Sequence, residues 1–361
     1  MNTTATWKLA GRKQSQPAGG NARLYVSFAL VGYLMGLDIS TTGAKALLID
    51  ERGSVVASAT TEYPLSTPHS LWAEQSPMDW WKGTCASIRD TLQLANVNGE
   101  EICGIGLTGQ MHGLVLLDQS GRVLRPAILW NDQRTEPQCN EITEQVGGAN
   151  KFVELTGNVV LPGFTAPKVL WVRENEPHIY AQVSHLLLPK DYIRFCLTGE
   201  YATEVSDASG TSLFDVSKRR WSAAVLSALE IPRDWLPRCT ESPESSGNVT
   251  RLAAQETGLE EGTLVVGGGG DQAAQAVGSG IVEPGVISVT TGTSGVVFAH
   301  SDRFLSEPDG RLHAFCHAIP NKWHLMGVML SAGGSFRWLR DKLGEPERIT
   351  ASLTHQFPSG G

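Results

Sequence analysis

Asp38-Ile-Ser-Thr-Thr-Gly43 and Thr290-Thr-Gly-Thr-Ser-Gly295 are two versions of one short phrase, each set between β-rich runs. The first lies between residues 34–39 and 44–50, the second between 286–289 and 296–300. Both read as hairpin turns with hydroxyls beside glycine. Backbone N–H groups in such a turn can form an anion-holding nest, Gly permits close approach of phosphate oxygens, and Thr or Ser hydroxyls donate further hydrogen bonds. One such turn alone is an ordinary hairpin more often than a ligand site. Two matched copies, far apart in the chain, predict two α/β lobes that grip one polyphosphate between them.

Outward from the first turn, residues 34–39, 44–50 and 55–61 are β-rich runs separated by Ser-Thr-Thr-Gly and Glu-Arg-Gly, which predicts an antiparallel meander. Ser76 then offers an N-cap, Pro77 an N1 proline and Asp79 an acidic first turn, ahead of Trp81, Cys85, Ile88 and Leu92 at helical spacing. Residues 102–108, 114–118 and 123–130 read as further strands, and 167–175, 190–197 and 221–229 as helices. The polar, Pro/Ser-rich stretch 241–247 reads as a loop near a domain boundary. A strand at 263–266, four glycines and a helix at 272–277 then open a second lobe.

Length and composition agree with that division. At roughly 150 residues per domain, the 361 residues make about two domains. With 41% hydrophobic and 18% charged residues the chain is not disordered as a whole. A net charge of −8 provides no long-range positive field for nucleic acid or anionic lipid, so neither is expected as a partner and any phosphate has to be held locally. Lys218-Arg219-Arg220, the longest basic run, reads as a solvated turn. The six cysteines form no C-x-x-C pair and read as reduced, buried thiols of a cytoplasmic protein.

Residues 1–24 lack apolar periodicity, and residues 24–37 are apolar but too short and Gly-interrupted to span a bilayer. No small-residue cleavage motif follows them. The expectation is a disordered extension over residues 1–34, with Met35 as the natural start.

The segment Leu264-Val-Val-Gly267-Gly-Gly-Gly270-Asp271-Gln-Ala-Ala is strand, glycine turn, then helix. Gly268, Gly270 and Ala273 satisfy G-x-G-x-x-A, yet no acidic residue ends a following strand about 20 positions on, so a dinucleotide site is weakly supported. No G-x-x-x-x-G-K-[ST] occurs. Asp271 at the helix mouth reads either as an N-cap or as a carboxylate placed to accept a proton from an alcohol attacking phosphorus.

Gly109-Gln110-Met111-His112-Gly113 crosses from one strand to the next at the end of the sheet, where ligands tend to sit. Its glycines allow close approach, and Gln110, Met111 and His112 supply an apolar wall and hydrogen-bonding groups suited to a polyol. Trp130-Asn131-Asp132-Gln-Arg134 adds an aromatic, an amide, a carboxylate and a guanidinium, a mixture suited to sugar, with an Asp132 to Arg134 ion pair as the plainer alternative. His313-Ala-Phe-Cys-His317 lies in an apolar β context without a further His/Cys pair, so packing is expected there and no zinc.

These segments, with Gly163-Phe-Thr-Ala-Pro-Lys168-Val-Leu-Trp171-Val-Arg-Glu-Asn175, together resemble the FGGY carbohydrate kinases, whose first signature that last segment fits. The resemblance runs from residue 35 to about 345. Gln-Met-His-Gly, Trp-Asn-Asp-x-Arg, Leu188-Pro-Lys-Asp-Tyr192 and His313 to His317 look most like the members that act on D-xylulose. The resemblance implies an actin-like ATPase fold of the hexokinase and Hsp70 type, with two lobes, a central cleft and an incomplete second lobe. Residues 35–262 would be the N-terminal kinase domain and 263–361 a partial C-terminal domain. It further implies transfer of the ATP γ-phosphate to the 5-hydroxyl of D-xylulose, with ATP and Mg²⁺ as cofactors, and it is compatible with a homodimer.

By motif position, Asp271 is the proton acceptor. The implied substrate contacts are Gln110, Met111, His112, Trp130, Asn131, Asp132, Arg134 and Gln272. The implied phosphate contacts are Thr41, Thr42, Lys45, Thr291, Gly292 and Thr293, with Asp38 organising Mg²⁺ through water.

The sequence departs from the family pattern at three places. Ser40 replaces the Gly of Asp-x-Gly-Thr, so a strained or obstructed phosphate turn is expected. Gln272 stands where many relatives have Asn. Gln275 replaces a small residue and is expected to crowd the cleft.

The sequence ends at Phe357-Pro-Ser-Gly-Gly361, and by the resemblance the later Gly-rich adenine-binding turn and the second family signature are expected to fall beyond it. Exposed apolar surface is therefore expected. The rival readings are a weakly active or inactive sugar-binding fragment, a kinase for another pentulose or polyol, and, resting only on the glycine match, a nicotinamide oxidoreductase.

Overall fold

The computed structural model describes residues 32–343 apart from Thr293. Strands Tyr33–Ile39, Gly43–Ile49 and Val55–Glu62 form the predicted meander, with Leu37 opposite Ala46 and Asp38 opposite Lys45. Period-two alternation buries Met35, Leu37 and Ile39 on one face together with Ala46 and Leu48. That face is covered by the helix Pro77–Ala95, whose Trp80, Trp81, Cys85, Ile88 and Leu92 enter the same core. The helix starts at the expected Pro77 and stops where Asn96 takes a left-handed φ of 53°. Ser76 stands at the N-cap, but its hydroxyl makes no capping bond.

Strand Ile102–Gly109 pairs in parallel with Tyr33–Ile39 and extends the sheet to the order Ser245–Asn248, Leu264–Val266, Ile102–Gly109, Tyr33–Ile39, Gly43–Ile49, Val55–Glu62. Three expectations are corrected here. Part of the expected 241–247 loop is the strand Ser245–Asn248, held antiparallel to Leu264–Val266. The latter strand does not open a second lobe either, because it pairs in parallel with Ile102–Gly109, so a boundary at 262/263 would cut the first sheet. The expected strand 123–130 shrinks to Ala127–Ile128, with isolated bridges beside it.

The expected tail also gives way to the sheet earlier than residue 34. Tyr33 and Leu34 already belong to the sheet, and Tyr33 N–H donates to Glu101 O at 2.8 Å, so the strand extends upstream of Met35. Residues 1–31 of the expected 1–34 extension lie outside the described residues.

A second core gathers around Phe152, Val169, Leu170, Phe214 and Leu226, between helices Glu136–Gln145, Thr165–Asn175 and Ala223–Ala228. Against it stands a four-stranded antiparallel sheet in the order Ile287–Thr291, Gly295–Ser301, Trp323–Met329, His313–Cys316. Buried polar clamps fix the two units. The Asn158 amide donates to Ala314 O (2.9 Å) and accepts from Ala314 N–H (2.8 Å), while Trp323 Nε1 donates to Val216 O at 2.9 Å.

Arg219 joins them as well and is not the solvated residue the basic run predicts. It pairs with Glu241 at 2.6 Å, donates to Lys322 O at 2.8 Å and lies against the Trp323 ring. The outer side of this sheet exposes Ile287, Val289 and Met329, and the helix Gly333–Leu343 exposes Phe336 and Trp338, in line with the expected apolar surface. Among the described residues no helix is long and apolar enough to cross a membrane.

Candidate active site

The first repeated phrase is a hairpin closed by its own side chain. Ser40 Oγ accepts from the N–H groups of Thr42 and Gly43, each at 3.3 Å, and donates to Gly43 O at 2.9 Å. Ser40 is not among the residues with positive φ, so the strain expected from losing glycine is absent. The turn is buttressed from outside: Tyr63 OH donates to Ser40 O (2.5 Å), Gln75 Nε2 to Thr41 O (2.7 Å) and Trp130 Nε1 to Thr41 Oγ1 (2.9 Å). Gln110, expected to touch substrate, is buried and spends its amide on Ser40 O and Gln75 Oε1. Its place is beneath the turn.

The glycine stretch works by close approach. At Gly268, φ is +73° and a Cβ would lie 2.0 Å from Leu107 O, while at Gly270 a Cβ would meet Met111 Sδ at 2.9 Å. Gly269 and Gly270 pair with Thr108 and Gly109, and the helix Asp271–Gly278 begins immediately after. Asp271 is its first residue, Gly270 being the N-cap, and its Oδ1 accepts from Gln272 N–H at 2.7 Å. Burial pushes this carboxyl up, to about 6; the Gln272 N–H opposes the shift and the neighbouring Asp38 carboxylate adds to it.

Asp271 and Gln272 open into a cavity of about 120 Å³ with Met111, His112, Trp130, Ser294, Val296, Met326 and Val328. His112 holds a left-handed φ of 68°, and its Nδ1 lies 2.7 Å from Gly210 O. Burial pushes its imidazole down, to about 3, so it stands neutral in the wall. Its carbonyl is fixed by Thr165 Oγ1 (3.1 Å) and Lys168 Nζ (2.8 Å), and its ring stacks on Phe164 with centroids 4.7 Å apart. A buried carboxyl, a neutral imidazole, an indole and an amide, set among Met and Val side chains around a small space, suit one end of a polyol.

Asp132 and Arg134 are not in this cavity. Their side chains are 0% and 1% exposed and pair at 2.7 Å, with Arg134 also on Glu74 and its guanidinium 3.5 Å from the Trp72 ring centroid. Asp132 further accepts from Ala73 N–H at 2.7 Å. The plainer ion-pair alternative is what the structure forms, because the two charges satisfy each other under two indoles. Asn131 is half-buried and is likewise absent from the lining.

His313 to His317 pack as expected. His317 Nε2 donates to Ile281 O at 3.1 Å, and Cys316 Sγ is directed at Val216 O. The six thiols are free, although Cys103 is exposed rather than buried.

A larger cavity, about 540 Å³, lies on the other side of the glycine turn and is lined by Asp38, Lys45, Leu107, Gly268, Gly269 and Val277, among others. Burial pushes the Asp38 carboxyl up while Lys45 draws it down. Thr41 is half-buried, Thr42 is exposed, and neither reaches this lining. In the second hairpin Thr291 and Gly292 are exposed, and Gly292 O accepts from Gly333 N–H at 2.9 Å. Thr293 lies outside the described residues. Gln275 does not crowd the cleft: it is exposed and reaches Thr290 Oγ1 at 3.4 Å.

Sequence reasoning missed Ser294, Val296, Met326 and Val328, which line the smaller cavity from the second sheet, and the supports Tyr63, Gln75 and Lys168. The β pattern at 296–300 held a signal for Val296. Isolated polar residues such as Gln75 carry none.

Comparison with known proteins gives the family. The profile of the FGGY family of carbohydrate kinases, N-terminal domain, matches residues 33–278. Xylulose kinase of Klebsiella pneumoniae is 44% identical over 329 residues, covering 90% of this chain and 67% of that protein. Xylulose kinase of Escherichia coli (strain K12) is 45% identical over 304 residues, covering 84% and 62%. A crystal structure described as a xyloylose kinase from Brucella ovis superposes with a TM-score of 0.82 at 43% identity, covering 89% of this chain and 66% of that one. One of a Plasmodium falciparum glycerol kinase with ADP reaches 0.81 at 22% identity and shares the fold. The chain spans about two thirds or slightly less of the length of these relatives. The chain belongs to the FGGY family of carbohydrate kinases, and the match to residue 278 of the N-terminal profile agrees with the strand Leu264–Val266 lying in the first sheet.

Proposed function

We propose that this FGGY family member carries the sugar-phosphorylating centre of a xylulose kinase, transferring the γ-phosphate of ATP to the 5-hydroxyl of D-xylulose. The observation that carries the reading is the Asp271 carboxyl, raised to about 6 and opening into the cavity with Met111, His112, Trp130 and Gln272. Relatives named xylulose kinase at 44% and 45% identity supply the substrate class.

As the new bond forms between the sugar oxygen and the γ-phosphorus, the bond from that phosphorus to the ADP oxygen breaks, and the hydroxyl proton passes to Asp271. His112 and Gln272 orient the polyol, Trp130 walls it, and buried polar groups left unpaired by a wrong sugar set the selectivity. Thr41, Thr42, Lys45, Thr291, Gly292 and Thr293 are proposed as phosphate contacts.

The donor set suits Mg²⁺, which is held through one or two carboxylates plus phosphate and water: Asp38 is a desolvated carboxylate at the larger cavity, within the electrostatic reach of Asp271. Asp38 would hold the ion through water, and the ion would supply charge neutralisation on the phosphates. Six free thiols fit a cytoplasmic site of action.

D-xylulose-dependent ADP formation by the 361-residue chain tests the reading, with D-ribulose, glycerol and gluconate as controls. Sugar binding without ADP formation would support the inactive-fragment alternative instead.

A further inference from the structure

The glycine turn that carries Asp271 has no side chains with which to hold itself, so its rigidity has to come from outside. Beyond the turn's strand pairing and the bonds from Gly267 N–H to Glu244 O (2.8 Å) and Gly268 N–H to Ser242 O (3.0 Å), the structure supplies two grips from buried side chains. Arg194 forks onto the first end: Nη1 donates to Val266 O at 2.7 Å and Nη2 to Gly267 O at 2.6 Å, while Nη1 also reaches the Ser246 hydroxyl. At the other end the Gly270 N–H donates to Ser206 Oγ at 3.0 Å and to Glu204 Oε1 at 3.2 Å.

The two grips belong to one charge cluster. Lys190 Nζ lies 2.7 Å from Asp191, 3.1 Å from Asp207 and 3.5 Å from Glu204, and Arg194 lies 3.3 Å from Asp191. Each of these side chains is 0% exposed. Burial pushes the Asp207 carboxyl up, to about 8, against the pull of the Lys190 ammonium. Glu204 is itself immobilised, accepting from the N–H groups of Ser206 (2.7 Å) and Asp207 (2.9 Å) and from the Ser206 hydroxyl (2.9 Å).

A buried network of this kind is costly relative to an apolar core and adds little net stability. What it can provide is a fixed address for the backbone it binds, here the residue immediately before Asp271.

We infer that Arg194, Glu204 and Ser206 are positioning residues, which hold the two ends of the glycine turn so that the Asp271 carboxylate is aligned with the hydroxyl it deprotonates. The inference rests on the proposed kinase reading of Asp271. Its alignment matters because a misplacement of about 1 Å costs on the order of 10²-fold in rate.

The test uses the full chain, labelled with ¹³C at aspartate carboxyls, as wild type, Ser206→Ala and Arg194→Lys, with the Asp271 signal assigned by its loss in Asp271→Asn. The titration midpoint of Asp271 is expected to move in both variants. With ATP and D-xylulose, kcat is expected to fall about tenfold while the sugar KM stays within about twofold, the split expected when alignment rather than binding is lost. The acid limb of the rate profile should move with the midpoint.

A Ser206→Ala chain with the wild-type midpoint and the wild-type kcat overturns the inference, as does a kcat loss no larger than the unfolded fraction measured by circular dichroism. Arg194→Lys keeps the charge but cannot fork onto two carbonyls, and it decides the matter in the same way if Ser206→Ala does not fold. If the wild type shows no turnover while the midpoint still moves in Ser206→Ala, the kinase reading fails and the grip on the turn stands.

Discussion

Lys168 Nζ sits 2.8 Å from the carbonyl oxygen of His112, at a residue whose own φ is +68°. A left-handed backbone at a non-glycine residue persists only where its surroundings over-determine it. Here they do: Lys168 also donates to Gly163 O at 2.7 Å, and Thr165 adds a second donor to the His112 carbonyl. Burial pushes the Lys168 ammonium down, to about 7, and even the neutral amine keeps two donors for its two carbonyls. The lysine of the family signature therefore acts on the cavity through the backbone of His112.

Lys168→Met is expected to raise the KM for sugar more than it lowers kcat. Met fills the stem's volume but leaves the Gly163 carbonyl without its donor and the His112 carbonyl with Thr165 alone. Leaving a buried acceptor unmade costs about 1–3 kcal/mol, so urea unfolding should report a loss of that order. Unchanged KM together with unchanged stability would show that the His112 turn holds itself.

Asp271 predicts two pH effects of opposite consequence. With its carboxyl raised to about 6, the ionised base is nearly complete at pH 7 and scarce at pH 5, so the rate should fall as pH drops through about 6. Asp271→Ala should lower kcat by ~10²-fold or more at neutral pH. In folding, the same group binds protons more tightly in the native state than in the unfolded chain. Its contribution is therefore favourable below the ordinary carboxylate range and is lost as pH rises through about 6. Asp271→Asn should accordingly be more stable than wild type at pH 7 while inactive, which thermal melts and a turnover assay together would check.

The second sheet carries an acid liability. His300, His317 and His324 lie ring to ring, with centroids of 5.1 Å for the first pair and 5.8 Å for the second. Burial pushes His317 down to about 4 and holds His324 well below its ordinary value, and neither His324 nitrogen has a hydrogen-bond partner among the described residues. The unfolded chain protonates His317 and His324 near pH 6.5, the native state only at lower pH, so stability is full above that value and declines as pH falls towards 4. Urea midpoints measured between pH 7 and pH 4.5 should show the decline, and His324→Leu should flatten it. A wild-type midpoint constant over that range would remove the argument.

The two hairpins and the glycine turn were legible because each couples turn chemistry to flanking strands within about a dozen residues, and that is the range over which sequence pattern speaks. Partners far apart in sequence were not. Nothing near Gln75 or Tyr63 says that their side chains meet Thr41 and Ser40, and nothing near Arg219 says that it reaches Lys322, just before the strand Trp323–Met329. The boundary drawn at 262/263 failed for a related reason: strand Leu264–Val266 follows a polar stretch, but its partner Ile102–Gly109 lies in the first lobe. The serine at position 40 runs in the other direction: a missing glycine predicts strain, whereas the hydroxyl closes the turn.

Asp132 and Arg134 offer the sharpest separation between a sugar-binding and a structural role. Both were expected at the sugar, and both are buried away from it, with Arg134 bound to Asp132 and Glu74 and faced by Trp72 and Trp171. Arg134→Met would strand the Asp132 carboxylate in a site that is 0% exposed, where breaking such a pair costs about 3–5 kcal/mol. The loss should appear as a lowered urea midpoint. Asp132→Asn combined with Arg134→Met removes the stranded charge and should recover part of it. In the folded fraction of either variant the sugar KM should stay close to wild type, because neither side chain lines the cavity. A KM raised tenfold or more at wild-type stability would return both residues to the binding site.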